Sequence, residues 1–370
     1  MARARLVDRR PSPIAPSHRG GASSSEGCAV AVPTPGGDLF VDQDRVAEVF
    51  ALGQASGPAR ALRGGSSGRV WDLHTSEGRW VVKTQAAPED WRRSHMVRAH
   101  TLERAAYIAG LPMARPVTPP EPSVGFWHDI DGTHARVLEF VENAHPVVVD
   151  SAVEPGALAA WLGRTLASIE QLGVPGDLSD DASTPLHPLG DWREWISEAR
   201  CSEAADTACE LLPAVERSTA LVQRAEAAGP DALLGHRDIG PANVLRSGSG
   251  FRLIDWDHAG PAVPWWEAVH TAFRFAGGLD DARATRPEVV RAVLAAHRAA
   301  GGAQGPADES ALAGLLRATL GFTAYTLWLS LGHRGGDALD RARAAVRFRA
   351  AAGSLQRGVA ALPEWCALLR

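Results

Sequence analysis

The stretch from Leu233 to Gly260, LLGHRDIGPANVLRSGSGFRLIDWDHAG, constrains the fold of this 370-residue chain more than any other. It predicts a strand, a loop, a second strand, a tight turn and a third strand. Two short apolar runs flank the turn at residues 247–250, which is the pattern of a β-hairpin. A hairpin brings its two ends together, so we expect Asp238, Asn243 and Asp255 to lie in one small volume.

These three side chains carry the chemistry of the stretch. They supply two carboxylates and one amide oxygen, which are hard oxygen donors of the kind that Mg²⁺ prefers. One carboxylate would remain to orient a hydroxyl group. A magnesium site beside an orienting carboxylate is the arrangement that phosphoryl transfer uses. The alternative is that these three residues only cap turns in their loops. The full spacing argues against it, because Asn243 follows Asp238 by five residues and Asp255 follows Asn243 by twelve.

Composition narrows the class of protein. The formal net charge is −5, so nothing argues for a nucleic-acid partner, and a mildly acidic protein weakly favours a cationic ligand. No apolar run approaches the roughly 18 residues that a membrane span needs. The four cysteines are scattered without metal-binding spacing, which is consistent with reduced thiols and a cytoplasmic location. We therefore expect no nucleic acid and no membrane among the partners, and a monomer or a homodimer.

The chain contains 38 basic residues, and only Lys83 is a lysine. A position that keeps lysine can need a compact ammonium on a flexible stem, which arginine does not provide. Survival of one lysine by chance is the alternative. Lys83 ends a run over residues 59–84 that predicts a strand, a glycine-rich loop, a strand, a turn and a strand, which is a three-stranded meander.

Two segments of the key stretch resemble a known family. HRDIGPAN, residues 236–243, and IDWDHAGP, residues 254–261, are similar to the HGDxxxxN-type loop and the Asp-containing segment of the aminoglycoside phosphotransferase and choline kinase-like superfamily. The arginine at 237 replaces the glycine that is commoner in this superfamily and is similar to the residue of protein kinases, whereas Gly240 and Asp257 are similar to the residues of small-molecule kinases. The resemblance implies an α+β, bilobal protein-kinase-like fold with a small antiparallel-sheet N-lobe and a large, mainly helical C-lobe.

The resemblance also implies how the chain is divided. Residues 1–38 are rich in Arg, Pro, Ser and Gly and are expected to be a disordered leader. Residues 39–141 are expected to form the nucleotide-binding N-lobe, and residues 142–370 the helical C-lobe with the catalytic loop and the acceptor site. Helices are predicted at about 90–109, 155–172, 191–226 (two helices), 286–300, 308–332 and 337–360, and the last two N-lobe strands at 125–128 and 135–141.

The functional residues of the family map onto this chain position by position. Asp238 would accept or orient the proton of the acceptor hydroxyl, and His236 would support the catalytic loop through hydrogen bonds. Asn243 and Asp255 would bind Mg²⁺. The residues expected to bind the nucleotide, which is ATP with GTP as the alternative, are Lys83 at the α and β phosphates, the loop residues Gly65, Ser66, Ser67 and Gly68, and the hinge residues Glu139 and Val141 through backbone groups.

A carboxylate on the helix at 90–109 is expected to hold the lysine. Glu103 is the glutamate available there, although the acid of the family sits about one turn earlier, at a position that is Ala99 here. Residues 99 and 103 share a helix face, so Glu103 could reach Lys83. An exposed glutamate beside Arg104 is the alternative.

Two adjacent tryptophans and a group of acids each have two interpretations, and one glutamate has a structural interpretation. Trp265 and Trp266 could line the cleft or belong to the core, and Glu267 is expected to stabilise the catalytic loop rather than to react. The helices at 191–226 carry acids that could meet the amino groups of an aminoglycoside or form a solvated face: Glu194, Glu198, Glu203, Asp206, Glu210 and Glu216.

The resemblance implies an ATP-dependent O-phosphotransferase whose partner is a small hydroxylated acceptor. An aminoglycoside or another antibiotic-type natural product, often cationic, is the first expectation. A kinase of primary metabolism for choline, a sugar or homoserine is one alternative, and a nucleotide-binding module without turnover is another. Protein phosphorylation is disfavoured because Glu267 follows Asp255 by twelve residues, which leaves no room for an activation segment that ends in an Ala-Pro-Glu-like stop.

Overall fold

An antiparallel sheet organises the first part of the described chain. The computed structural model describes residues 42–62, 69–88, 90–147, 155–181, 185–199, 205–277, 285–333 and 337–370. Helix α1 (Gln43–Val49) precedes the sheet, and helix α2 (Asp90–Ile108) lies between its third and fourth strands. The sheet order is β1-β2-β3-β5-β4, with β1 Arg60–Ala61, β2 Arg69–Thr75, β3 Gly78–Ala86, β4 His128–Ile130 and β5 Thr133–Glu139.

Two predicted segments lie outside the described residues. They are the leader at 1–38 and the glycine-rich loop, with Gly65, Ser66, Ser67 and Gly68, and Glu203, one of the acids considered for acceptor binding, lies outside the described residues as well. The predicted domain boundaries and the phosphate contacts of that loop therefore stay predictions.

The register of the sheet decides which side chains share a face. Lys83 on β3 pairs directly with Arg136 on β5. Residues that oppose each other in an antiparallel pair point to the same side of the sheet, so the two cationic side chains are neighbours. The flanking Val82 and Val137 point to the other side, where they belong to a small apolar core that also contains Phe50.

Helix α2 closely follows its prediction, but one strand does not. Gly110 comes just after the helix with φ +73°, a left-handed conformation that commonly ends helices and that suits glycine. The strand predicted at 125–128 was wrong, because β4 lies at His128–Ile130. Residues 125–126 instead form a turn in which the N–H of Trp127 donates to the carbonyl of Val124 at 2.9 Å.

The rest of the described chain is mainly helical and shares one large apolar core. Helix α9 continues to Leu368, beyond the predicted end at 360, because Leu362 and Trp365 are buried in that core. The helices are α3 Pro155–Gln171, α4 Leu189–Ala199, α5 Ala205–Ala227, α6 Pro264–Ala276, α7 Pro287–Ala299, α8 Ala313–Leu331 and α9 Ala338–Leu368. The short strands are β6 His145–Pro146, β7 Leu233–Gly235, β8 Val244–Ser247, β9 Gly250–Leu253 and β10 Gly260–Ala262.

The predicted hairpin is present and positions the candidate site. Strands β8 and β9 pair with Val244 opposite Leu253, and the N–H of Ile254 donates to the carbonyl of Asn243 at 3.0 Å. Strand β7, just before the loop that contains Asp238, pairs with β10. These pairings bring the two loops together at one end of the strands.

The predicted α+β fold class, with a small antiparallel sheet and a mainly helical remainder, is confirmed. None of the helices in the described ranges combines the length and the apolar character that crossing a membrane requires.

Candidate active site

The loop after β7 places Asp238 and Asn243 in direct contact. The amide nitrogen of Asn243 donates to Oδ2 of Asp238 at 2.7 Å and to the carbonyl of Asp238 at 2.9 Å. Both hydrogen bonds use the amide nitrogen, so the amide oxygen is the atom of Asn243 that could bind a cation. The predicted convergence of these two residues therefore exists.

Asp255 lies at the end of the hairpin and contacts the single lysine. The ammonium of Lys83 is 2.6 Å from Oδ1 of Asp255 and 3.0 Å from Oδ2 of Asp257. Asp255 has φ 66° and ψ 63°, a left-handed conformation that is uncommon for a residue with a Cβ and that occurs often at functional sites. The lysine on the sheet and the carboxylate on the hairpin thus meet across a long sequence separation.

His236 is buried beneath the loop. Its Nε2 lies 3.2 Å from the carbonyl of Ile254, and its Nδ1 accepts from the N–H of Asp238 at 3.3 Å. This pair of contacts requires a neutral ring with its proton on Nε2. Burial lowers the pKa of His236, and its ring packs against Trp256 with 4.7 Å between centroids. His236 therefore connects the two loops and does not face a substrate.

Glu267 supports the same loop from helix α6. Its Oε1 accepts from the N–H of Arg237 at 2.6 Å. Gly235 makes this approach feasible, because a Cβ at that position would lie 2.0 Å from Oε2 of Glu267. Burial raises the pKa of the Glu267 carboxyl. The expected stabilising role of Glu267 therefore has a structural basis.

Arg274 is a site residue that the sequence analysis missed. Its guanidinium lies 2.6 Å from Oδ1 of Asp238. Burial alone would raise the pKa of Asp238, but the nearby guanidinium outweighs it and holds that pKa below its usual range. The signal that could have found Arg274 is its position seven residues after Glu267, which places both side chains on one face of α6.

Glu103 does not have the predicted partner. It is fully buried on α2, where it forms an ion pair with Arg136 and lies 3.0 Å from Nδ1 of His100. The expected contact with Lys83 is replaced by the contacts of Lys83 with Asp255 and Asp257. The exposed glutamate that was the alternative is equally wrong.

The contacts of the hinge residues within the protein do not test their predicted role in adenine binding. The N–H of Glu139 donates to the carbonyl of Arg115 at 2.9 Å, and its carboxylate lies 3.2 Å from the same arginine. Adenine contacts through the carbonyl of Glu139 and through Val141 stay a prediction. Next to them, the guanidinium of Arg79 stacks on Phe140 at 3.5 Å from the ring centroid.

Two of the six acids considered for acceptor binding, and both tryptophans, have other contacts in the structure. Glu216 forms an exposed ion pair with Arg193 at 2.8 Å, and Glu198 lies 2.9 Å from His333. Trp265 and Trp266 are buried in the large core. These contacts favour the solvated helix face and the core-packing alternatives.

The arrangement suits a phosphate-bound cation better than a metal enclosed by protein. Within the described ranges, no group of three or more His, Cys, Asp and Glu side chains could hold a metal by itself. Asp255 and the amide oxygen of Asn243 offer two oxygen ligands. Mg²⁺ is commonly bound by one or two carboxylates together with substrate phosphates and water, so this donor set fits that ion.

A model of the phosphotransferase enzyme family matches residues 58–315. No curated protein matches the sequence significantly.

Solved structures with low sequence identity share the fold. A spectinomycin phosphotransferase in complex with ADP and spectinomycin superposes with a TM-score of 0.60 at 15% identity, over 85% of this chain and 98% of that chain. An aminoglycoside phosphotransferase from Alicyclobacillus acidocaldarius has a TM-score of 0.56 at 18% identity, over 91% and 98%. A choline kinase from Streptococcus pneumoniae has a TM-score of 0.55 at 16% identity, over 84% and 98%.

Proposed function

Because this chain belongs to the phosphotransferase enzyme family, we propose that it transfers the γ-phosphate of ATP to a hydroxyl group of a small molecule. The observation that carries the proposal is the convergence of Asp238, Asn243, Asp255 and Lys83 in one site. Bound nucleotides in similar structures support ATP as the donor, since the spectinomycin phosphotransferase was solved with ADP.

The residues have distinct roles in the proposed reaction. Asp238 accepts the proton of the acceptor hydroxyl while the acceptor oxygen bonds to the γ-phosphorus and the bond from that phosphorus to the bridging oxygen of ADP breaks. Lys83 neutralises charge on the α and β phosphates. Asn243 and Asp255 would hold Mg²⁺, which supplies further charge neutralisation on the phosphates when bound. Because the transition state is loose, positioning and electrostatics contribute more than a strong base does.

The acceptor that we propose is an antibiotic-type natural product with free hydroxyl groups. The fold similarity to two antibiotic-directed enzymes supports this class. A second candidate, a small metabolite such as choline or a sugar, is favoured by one observation. The carboxylate of Glu216 pairs with Arg193 and that of Glu198 lies 2.9 Å from His333, which leaves these two acids less available to a polycationic acceptor.

The first experiment is Mg²⁺-dependent consumption of ATP and GTP, measured against a panel of aminoglycosides, spectinomycin, other hydroxylated antibiotics, choline and simple sugars. Transfer of phosphate to one member would identify the acceptor. Asp238→Ala is expected to lower kcat by about 10²–10⁴-fold, as for a positioned acid–base group, with nucleotide binding retained. Near-full turnover in that variant would contradict the role of Asp238.

A second variant tests the metal site. Asp255→Ala should abolish the Mg²⁺ dependence of nucleotide binding, which isothermal titration with and without the metal measures. An unchanged dependence would rule out Asp255 as a ligand. Tight ATP binding without turnover on any acceptor would instead favour the nucleotide-binding module.

A further inference from the structure

The single lysine belongs to a chain of alternating charges. Lys83 and Arg136 are direct partners across β3 and β5, and like charges placed opposite each other on a sheet repel. Asp257 lies between them and accepts from both. Its Oδ2 is 3.0 Å from the ammonium of Lys83, and its Oδ1 is 3.0 Å from Nη1 of Arg136.

Arg136 connects this pair to helix α2. Its other terminal nitrogen, Nη2, forms an ion pair with Oε1 of Glu103. Arg136 is 1% exposed and Glu103 is 0% exposed, so both charges depend on each other for compensation. Nε2 of His95, also on α2, lies 2.9 Å from the carbonyl of Asp257. Helix α2 therefore contacts the main chain of Asp257 directly, through His95, and its side chain indirectly, through Arg136.

The two carboxylates on Lys83 are not equivalent. The side chain of Asp255 is 33% exposed and that of Asp257 is 25% exposed. The second partner of Asp255 would be the metal, so Mg²⁺ would compete with Lys83 for the oxygens of Asp255, and the phosphates would compete with Asp255 for Lys83. Both oxygens of Asp257 already have a cationic partner, one of them the buried Arg136. When Asp255 turns to the metal, Asp257 is the carboxylate that remains on Lys83.

We propose that Asp257 positions Lys83 for the nucleotide, and that the Glu103–Arg136 ion pair on its far side fixes Asp257. This inference rests on the proposed role of Lys83 in the phosphotransfer reaction. The proposal assigns the positioning of Lys83 to Asp257, in the loop after the hairpin. In the resembled family, by contrast, the acid that holds the lysine sits on the helix equivalent to α2, at a position that is Ala99 in this chain. Asp257, Arg136 and Glu103 are positioning residues that act through Lys83.

The composition of the chain makes a direct readout possible. Lys83 is its single lysine, so protein labelled with [ε-¹³C]lysine has one labelled side-chain resonance. The position of that resonance in nucleotide-free protein reports on the surroundings of the ammonium, whether or not the protein turns over a substrate. Kinetics with ATP, acceptor and Mg²⁺ then measure the consequence.

Two variants change the network in different ways. Asp257→Asn removes the proposed partner of Lys83. The double variant Arg136→Met/Glu103→Gln removes both buried charges together, and a buried ion pair replaced as a whole by neutral groups is generally tolerated by the fold. The matched control is Arg217→Met/Glu309→Gln, an exposed Arg–Glu pair at 2.8 Å in the helical part.

Both network variants are expected to move the Lys83 resonance and to raise the KM for ATP by about 10–100-fold, the range found when the partner that orients a ligand is removed. The KM for the acceptor and the Mg²⁺ concentration for half-maximal rate should stay at the values of the control. A folded double variant with an unmoved resonance and an unchanged KM for ATP would overturn the proposal. So would Asp257→Asn if it altered only the Mg²⁺ dependence, which would make Asp257 a metal ligand. Failure of the unaltered protein to bind ATP would contradict the proposed function, whereas the resonance would still test the positioning of Lys83.

Discussion

The guanidinium of Arg274 and the carboxylate of Asp238 lie 2.6 Å apart, so the proposed catalytic carboxylate already has a cationic partner. Gly240 allows this contact, because a Cβ there would lie 2.4 Å from Nη2 of Arg274. The arginine thus reaches over the loop and holds one carboxylate oxygen, while Asn243 holds the other.

Arg274→Met is expected to lower kcat by about 10²-fold, because a reacting group displaced by about 1 Å loses activity of that order. Arg274→Lys should recover part of the loss, since it restores the charge without the planar fork. Steady-state kinetics with both substrates provide the measurement, and thermal unfolding serves as the control for folding. A kcat within about twofold of the unaltered protein would show that Asp238 is positioned without Arg274.

Arg237 has φ 65°, at a position where the resembled family commonly has glycine. Arg237→Gly should relieve strain of about 1 kcal/mol, but it also removes a bidentate ion pair with the buried Asp181, with Nη1–Oδ1 and Nη2–Oδ2 both at 3.0 Å. Breaking a buried pair costs about 3–5 kcal/mol when it leaves the other charge uncompensated, and Asp181 keeps a second cation, Nη2 of Arg317 at 3.5 Å, so the lower end of this range applies. We expect a net loss of about 2 kcal/mol in the free energy of unfolding, measured by urea denaturation.

A double variant is the control for that prediction. Arg237→Gly/Asp181→Asn removes both charges and keeps the relief of strain, and Arg317, the other cation on Asp181, retains its ion pair with Glu226, so the stability of the double variant should exceed that of Arg237→Gly. If the double variant is the less stable of the two, the ion pair is not the source of the loss.

Glu267→Ala should lower the free energy of unfolding by about 2–4 kcal/mol, because it leaves a cavity and removes the acceptor of the Arg237 N–H. Glu267→Gln keeps a carbonyl oxygen for that N–H and should lose less than about 1 kcal/mol. Chemical denaturation of both variants measures the difference. Equal losses would mean that the hydrogen bond to the loop contributes nothing.

The pH dependence of stability should include a contribution from Asp72. Hydrogen bonds from Arg79, at 2.9 Å and 2.8 Å, hold the pKa of Asp72 below its usual range. A lowered folded-state pKa adds stability that is complete above the unfolded value of about 3.9 and is lost as the pH falls through the folded value. Asp72→Asn should therefore cost about 1 kcal/mol at pH 7 and much less near pH 2. Unfolding at several pH values tests this, and a constant difference would contradict it.

The catalytic loop and hairpin were predictable from sequence because their geometry is local. Asp238 and Asn243 share one loop, and a tight turn brings Asp255 back to Asn243 through the pairing of Val244 with Leu253. The support of the loop by Glu267 was expected from the resemblance, and its burial on α6 is what the structure adds. Helix α2 was also predictable, since Gly110 ends it.

Other assignments failed because they depended on packing. The strand predicted at 125–128 gave way to a turn, in which Gly125 has φ +60°, a left-handed conformation that suits glycine and interrupts an extended strand. Glu103 was matched to Lys83 because both positions considered on α2 lie on one helix face. In the structure, however, Glu103 reaches Arg136, the neighbour of Lys83 on the sheet, and not the lysine itself.

The sequence by itself determined the loop with Asp238 and Asn243 and the approach of Asp255, because spacing along a hairpin controls both, and the family motifs in that stretch implied the fold class. Only the tertiary structure decided which charged side chains contact each other. Lys83 contacts Asp255 and Asp257 from 172 and 174 residues away, and Arg274 reaches Asp238 from the last turn of α6. Such pairs depend on how a sheet, a helix and a loop pack against each other, and Coulomb attraction acts between neighbours in space without regard to their separation along the chain.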